Sequence, residues 1–106
     1  MELTRDIRLT IAARVQRDSE FRGALLAEVV NACLAGDTRT GKTGLLDLVN
    51  ATVSLEGLAA EMQKPTKSLR RMLAPLGNLS AEKLFGIVKT LQKKAHVRLR
   101  ATTDRD

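Results

Sequence analysis

The sequence predicts a mostly α-helical bundle of about six helices, followed by a short C-terminal β-strand. Apolar residues make up 43% of the chain and are nearly all Leu, Ala, Val, Ile and Met, whereas the aromatic residues are only Phe21 and Phe85. A core that is rich in Leu and Ala and poor in aromatic residues favours packed helices over a sandwich or a barrel. The apolar residues also recur at intervals of three and four along most of the chain, which is the helical period.

Two helices are expected before residue 37. The apolar stripe of the first consists of Leu3, Ile7, Ile11 and Val15. Asp18 or Ser19 can cap the second helix, because their side-chain oxygens accept hydrogen bonds from amides of a first turn. Gly36 is the expected end of this helix. Its stripe consists of Phe21, Leu25, Leu26, Val29, Val30, Cys33 and Leu34.

Three further helices are expected between residues 37 and 77. Asp37 can cap the third helix, and Ser54 can cap a fourth that runs to Met62. The Lys64–Pro65 pair ends the fourth helix, because the residue before a proline avoids helical geometry. A fifth helix is expected from about Thr66 to Leu73, and it is ended by Pro75 and Gly77.

The sixth helix and the end of the chain complete the predicted organisation. Ser80 caps a helix whose buried stripe is Leu84, Ile87, Val88 and Leu91. Beyond it, Val97, Leu99 and Ala101 alternate with Arg98 and Arg100, which predicts a short edge strand. This strand could pair with its twin across a dimer axis, form a small hairpin edge, or be a disordered end. We therefore divide the chain into an N-terminal helical region (1–36), a main helical domain (37–101) and a frayed tail (102–106).

The charge of the chain points to an anionic partner. Its 18 Lys and Arg residues outnumber its 12 Asp and Glu residues, and the net charge is +6. Nucleic acid, an acidic protein or a membrane surface would fit this charge. Duplex DNA is the better nucleic-acid candidate, because binding of single strands by stacking needs exposed aromatic rings and this chain has only two aromatic residues. A single cysteine, and the lack of a membrane-spanning run or a signal peptide, predict a cytoplasmic protein.

Residues 36–43 read "GDTRTGKT" and match the phosphate-binding loop G-x-x-x-x-G-K-S/T of nucleotide hydrolases. Such a loop connects a buried strand of a parallel sheet to a helix, but the residues before Gly36 have helical spacing. We therefore interpret Gly36 as a helix stop, Asp37 as a cap, and Gly41 and Gly44 as small residues where another helix approaches. In this interpretation Lys42 is solvated and the protein is not an enzyme. A small nucleotide-binding enzyme stays as the third hypothesis.

Residues 55–72, "LEGLAAEMQKPTKSLRRM", have the pattern of a helix-turn-helix. Two short crossing helices need apolar residues where they touch and a small residue at their closest approach. Ala59 is that small residue, although Gln63 stands where glycine is usual and Lys64 where an apolar turn residue is usual. The contact residues are Leu58, Met62, Leu69 and Met72.

The second helix of this pattern is a candidate recognition helix. Leu69, Met72 and Leu73 form its buried face, so its polar and basic residues project outward toward a major groove. The start of the sixth helix could hold a backbone phosphate on its amides. The candidate DNA-binding residues are Lys64, Thr66, Lys67, Ser68, Arg70, Arg71, Asn78, Ser80 and Lys83.

Residues 57–99, from "GLAAEMQKPTKSLRRMLAPLGNLS" through "VRL", resemble the helix-turn-helix antitoxins of the addiction-module antidote type, which are HigA-like regulators. The likeness rests on a Leu- and Ala-rich helix, a "KSLxRML" recognition helix, a "GN" turn, a long helix and a short end strand. "GNL" replaces the usual "GNP". The upstream "GDTRTGKT" segment resembles one found in close relatives, where it has no nucleotide role.

The resemblance implies a lambda-repressor-like fold and a cytoplasmic homodimer that binds a palindromic DNA operator and represses its own operon. It also implies a RelE-like ribonuclease toxin as a possible protein partner. Only Thr66, Lys67, Ser68, Arg70 and Arg71 carry over to the recognition helix. The alternative is a basic helical adaptor that binds an acidic protein and has no specific DNA binding.

No catalytic, metal or cofactor site is expected. His96 is the only histidine and has no arranged Cys, Asp or Glu ligands around it, so a structural or solvated role is favoured. Cys33 lies in the apolar stripe of the second helix and is expected in the core.

Overall fold

The computed structural model describes residues 4–105, and six α-helices account for most of them. Leu3, which we placed in the first apolar stripe, and Asp106 of the predicted tail lie outside the described residues. The described helices are α1 (Arg5–Arg17), α2 (Ser19–Leu34), α3 (Thr38–Thr52), α4 (Leu55–Met62), α5 (Thr66–Leu73) and α6 (Ala81–Ala95). The prediction of a mostly helical fold is confirmed.

Side-chain caps set the starts of five of these helices. Each capping oxygen accepts a hydrogen bond from the backbone amide three residues later, at 3.0–3.2 Å. Such a bond satisfies one of the amides that a helix leaves free in its first turn. The capping residues are Thr4, Asp18, Asp37, Ser54 and Ser80. The caps predicted from the sequence for α2, α3, α4 and α6 are therefore confirmed.

Helices α2 and α3 pack closely because two glycines of α3 face α2. A Cβ atom on Gly41 would lie 2.3 Å from the Cys33 sulfur, and one on Gly44 would lie 2.8 Å from a methyl group of Val29. Both distances are shorter than real Cβ contacts, so the facing side chain of α2 would have to shift to admit a larger residue at either position. The predicted role of these glycines at a helix crossing is confirmed.

One hydrophobic core joins the helices. Val15 of α1, Leu26 of α2, Leu45 of α3, Leu58 of α4, Leu69 of α5 and Ile87 of α6 are all at most 1% exposed. In α1 the stripe is buried only toward its C-terminal end, since Ile7 is 47% exposed. None of the described helices is long and apolar enough to cross a membrane.

Arg22, in the first turn of α2, ties three helix ends together. Its guanidinium donates to the carbonyls of Val15 at 2.8 Å and Gln16 at 3.3 Å, near the C-terminus of α1. It also donates twice to the carbonyl of Ala95, the last residue of α6, at 3.0 and 3.2 Å. A helix leaves its last carbonyls without an internal partner, so one side chain here satisfies acceptors of two helices.

The predicted C-terminal strand is wrong for residues 97–101, which form an irregular segment; no strand occurs between residues 4 and 105. The alternation exists, but its apolar members pack on helices. Val97 lies over Gly23 of α2, and both Val97 and Leu99 contact the core. Gln92 accepts from their amides, through its backbone carbonyl at 3.1 Å and through its side-chain oxygen at 2.7 Å. These two amides therefore have acceptors without a neighbouring strand.

Candidate nucleic-acid interface

Helices α4 and α5 are eight residues each and are joined by the three-residue turn Gln63–Pro65. Gln63 adopts the left-handed conformation, with φ 55° and ψ 46°. Its amide donates to the carbonyl of Ala60 at 3.3 Å, and the amide of Lys64 donates to that of Ala59 at 3.0 Å. This pair of bonds is the Schellman ending of a helix, in which glycine is the usual left-handed residue. The turn therefore forms at the predicted place without glycine.

The packing between α4 and α5 follows the sequence pattern. Leu58 and Leu69 are fully buried, and Ala59 is buried at the position expected for a small residue. Met62 and Met72 are partly buried against the same core. The apolar positions that we assigned to the contact between these helices thus belong to the core.

The outer face of α5 is basic. Lys67, Ser68, Arg70 and Arg71 are exposed, while Leu69 and Leu73 are buried beneath them. Thr66, which we placed on the outer face, is half-buried. Among residues 4–105, neither Lys67 nor either arginine lies within 4.0 Å of a carboxylate oxygen, so their charges are not used inside the fold.

Two helix starts lie in the segment that carries the candidate residues. Helix α5 follows Pro65 and has no side-chain cap, so the amides of Thr66 and Lys67 have no acceptor among the described residues, whereas that of Ser68 donates to the carbonyl of Pro65 at 3.0 Å. At α6 the Ser80 hydroxyl accepts from the amide of Lys83 at 3.2 Å. One of the amides that we expected to hold a phosphate therefore already has a partner, and Glu82 adds an acidic side chain to that turn. Asn78 is exposed in the preceding loop.

Lys64 and Lys83 lie side by side, although they are far apart in sequence. Lys64 is in the turn after α4 and Lys83 is in the first turn of α6, and both are half-buried. A hydrogen-bond contact with the Lys64 side chain lowers the pKa of Lys83, and partial burial and repulsion between the two charges lower it further. The charge of Glu82 acts in the opposite direction. Two amines held together in this way attract an anion that can lie between them.

The excess positive charge is confined to the second half of the chain. Residues 1–53 carry seven basic and seven acidic side chains, whereas residues 54–106 carry eleven basic and five acidic ones. Helices α4, α5 and α6 lie in the second half, with all nine candidate DNA-binding residues. This asymmetry is a property of the sequence itself and does not show in the net charge of the whole chain.

The "GDTRTGKT" segment does not form the strand–loop–helix geometry of a phosphate-binding loop. Residues 36–43 comprise the turn after α2 and the first part of α3, and no strand precedes them. The prediction that Lys42 is solvated is wrong, because its side chain is 7% exposed. Its ammonium group donates to the carbonyl of Pro75 at 3.0 Å and to that of Gly77 at 2.8 Å. These two hydrogen bonds attach the Lys42 side chain to the loop between α5 and α6.

Gly77 explains why that loop can pack so tightly. A Cβ atom at this position would lie 1.9 Å from the carbonyl oxygen of Arg71 and 2.8 Å from that of Met72. The amide of Gly77 also donates to the carbonyl of Ala74 at 2.8 Å. The loop therefore folds back against the end of α5, and Lys42 of α3 donates hydrogen bonds to two of its carbonyls.

Two other side chains considered in the sequence, Cys33 and His96, are not among the candidate DNA-binding residues. Cys33 is half-buried, and burial raises the pKa of its thiol, with the charge of Asp37 adding to the effect. His96 is exposed at the end of α6. Residues 4–105 contain no group of three or more His, Cys, Asp or Glu that could hold a metal ion.

Comparisons of the chain with protein-family models, with curated proteins and with solved structures gave no significant match.

Proposed function

We propose that this protein binds duplex DNA through a lambda-repressor-like helix-turn-helix formed by α4 and α5, and acts as a transcriptional repressor. The single observation that carries the proposal is the outer face of α5, where Lys67, Arg70 and Arg71 are exposed and have no carboxylate partner among the described residues. A recognition helix needs such a face, because arginine and lysine bind guanine O6 and N7 in the major groove.

Neighbouring groups extend this face in a way that suits a phosphate backbone. Lys64 and Lys83 form a pair of amines, and the backbone amides of Thr66 and Lys67 at the start of α5 are available to bind an anion. Contacts to phosphate fix the register of a protein on DNA, while contacts to base edges provide specificity. The proposal therefore assigns Arg70 and Lys67 to bases, and Lys64 and Lys83 to phosphates.

The resemblance to addiction-module antidotes supports a more specific proposal. In it the protein is a homodimer on a palindromic operator, represses its own operon in the cytoplasm, and serves as the antitoxin of a type II module with a RelE-like toxin. Two-fold symmetry would place two α5 helices on successive major grooves, one helical turn apart.

The test measures binding by fluorescence anisotropy, with a duplex from just upstream of the gene and a scrambled duplex, at two salt concentrations. We expect tighter binding to the native duplex and a steep loss of affinity with salt, because bound lysines and arginines release counterions from phosphates. Arg70→Ala should weaken binding to the native duplex by about 1–3 kcal/mol and reduce the preference for it.

Arg17→Ala is the matched control. Arg17 is an exposed arginine at the end of α1, and among the described helices α1 packs on α2 and α3 and not on α4 or α5. The Arg17→Ala substitution should leave the affinity for the native duplex unchanged. Equal, weak and salt-sensitive binding to both duplexes would contradict the repressor proposal and favour the basic adaptor, whose partner is an acidic protein.

A further inference from the structure

An apolar cleft of about 230 Å³ lies among α1, α2 and α3, the half of the chain without excess charge. Its walls are aliphatic, and its lining is mainly carbon. The aliphatic side chains that form it are Ile11 and Val15 of α1, Leu25 and Val29 of α2, and Leu48 and Ala51 of α3. None of the nine candidate DNA-binding residues lines it.

Small residues keep this space open. Ala32, Gly44 and Ala51 line the cleft and present little or no side chain to fill it. Gly44 also lets α2 and α3 approach closely. Water in such a space has few polar partners, and an apolar molecule can displace it favourably.

The charged side chains that the structure describes in the lining are both acidic, and they are those of Glu28 of α2 and Asp47 of α3. Neither carboxylate lies within 4.0 Å of a basic group among the described side chains, which do not include that of Arg8. In a chain with a net charge of +6, these two carboxylates on separate helices give the described lining a charge opposite to that of the whole protein.

We propose that this cleft binds a small organic cation that has an apolar body and a primary amino group. The aliphatic walls fit the apolar body, and the carboxylates of Glu28 and Asp47 fit the ammonium group. Its size suits one ring with a short chain, since an apolar cavity of about 150 Å³ in a protein accommodates benzene. The site is separate from the candidate DNA surface and does not depend on DNA binding.

The test uses 4-phenylbutylamine as the probe and 4-phenylbutanol as its neutral counterpart, with calorimetry and amide chemical-shift mapping. We expect the amine to bind about fivefold more tightly than the alcohol, as suits an ammonium facing exposed carboxylates. The largest shifts should fall on the cleft residues. Glu28→Gln combined with Asp47→Asn should make the two affinities equal, while Glu20→Gln combined with Glu56→Gln, at exposed positions outside the lining, should leave the preference intact.

A second variant tests the apolar wall. Ala32→Leu fills the cleft from α2 and should lower the affinity for both probes at least fivefold, while far-UV circular dichroism checks that the fold is retained. The proposal is overturned if neither probe binds at millimolar concentration, if amine and alcohol bind equally well, or if the shifts fall elsewhere. It is also overturned if the chain is a stable dimer whose interface covers the cleft, because a second copy is then the occupant.

Discussion

The buried Lys42 offers the sharpest test of the packing around the candidate DNA surface. Lys42→Met keeps most of the aliphatic stem and removes the ammonium that donates to the carbonyls of Pro75 and Gly77. A hydrogen bond from a charged donor contributes about 1.5–3 kcal/mol to stability, and leaving a buried acceptor without a partner costs about 1–3 kcal/mol.

How much stability the Lys42→Met variant loses depends on the surroundings of the two carbonyls. Pro75 is exposed, so water can replace the lost donor there, but Gly77 is half-buried. The variant also no longer buries an ammonium that has no carboxylate partner among the described residues, which offsets part of the loss. We therefore expect the free energy of unfolding to fall by roughly 1–3 kcal/mol, with Tm falling by about 4–8 °C for each kcal/mol in a domain of this size.

The assay is guanidinium unfolding followed by far-UV circular dichroism, with Lys89→Met as the matched control. Lys89 is an exposed lysine of α6, and a substitution there should change stability by less than about 0.5 kcal/mol. Hydrogen exchange of the Gly77 amide, which donates to Ala74, reports whether the loop opens. Equal stability of the two variants, with unchanged exchange at Gly77, would refute the idea that Lys42 holds this loop.

Three further predictions follow from other local features. Lys64→Met should raise the pKa of Lys83, measured by NMR titration of its side chain, because the neighbouring amine is removed. In the wild type, repulsion between the two ammonium groups destabilises the fold below the folded-state pKa of Lys83 and is relieved as the pH rises through that pKa. The free energy of unfolding of the wild type should therefore increase relative to that of the variant over this pH range. Ser54→Gly should raise the free energy of unfolding by about 1 kcal/mol, because Ser54 has φ 67° and ψ 159°, a conformation that only glycine adopts without strain. Ser54→Ala should lower the free energy of unfolding, because it removes the α4 cap. A glycine variant that is less stable than the wild type would contradict this prediction. Gly41→Ala should lower the free energy of unfolding by about 1–3 kcal/mol, because the added methyl group clashes with the Cys33 sulfur. In a Cys33→Ala background the same substitution should be neutral or stabilising. An equal loss of stability in both backgrounds would mean that the sulfur is not the obstacle.

The helix starts could be predicted from the sequence because they depend on local chemistry. Asp18, Asp37, Ser54 and Ser80 each cap a helix through an amide three residues ahead, so a few neighbouring letters contain the whole interaction. The turn at Gln63 was predicted for a similar reason, since the apolar spacing on both sides fixes where the chain must reverse.

Longer-range contacts could not be predicted in this way. Lys42 lies three and seven residues before Leu45 and Val49, so helical periodicity alone would have placed it on the buried face of α3. Its partners, however, are backbone carbonyls 33 and 35 residues away, which no pattern of side chains reveals. The contact between Lys64 and Lys83 has the same origin, because it depends on how α4 and α6 pack.

The C-terminal segment shows a different limit of sequence patterns. An alternation of apolar and basic residues says that successive side chains face opposite ways, and it does not say what lies beneath them. Here Val97 and Leu99 rest on helices, and Gln92 accepts from their amides, so the same alternation arises without a sheet.

The uneven distribution of charge between the two halves of the chain gives the molecule an electric dipole moment in addition to its net charge of +6. Near any polyanion, the field acts on a net charge as an attraction and on a dipole as a torque. The molecule would therefore turn during its approach, with the side formed by α4–α6 leading, before any side chain makes contact. Such preorientation raises the fraction of productive encounters, and it weakens as added salt shortens the range of the field.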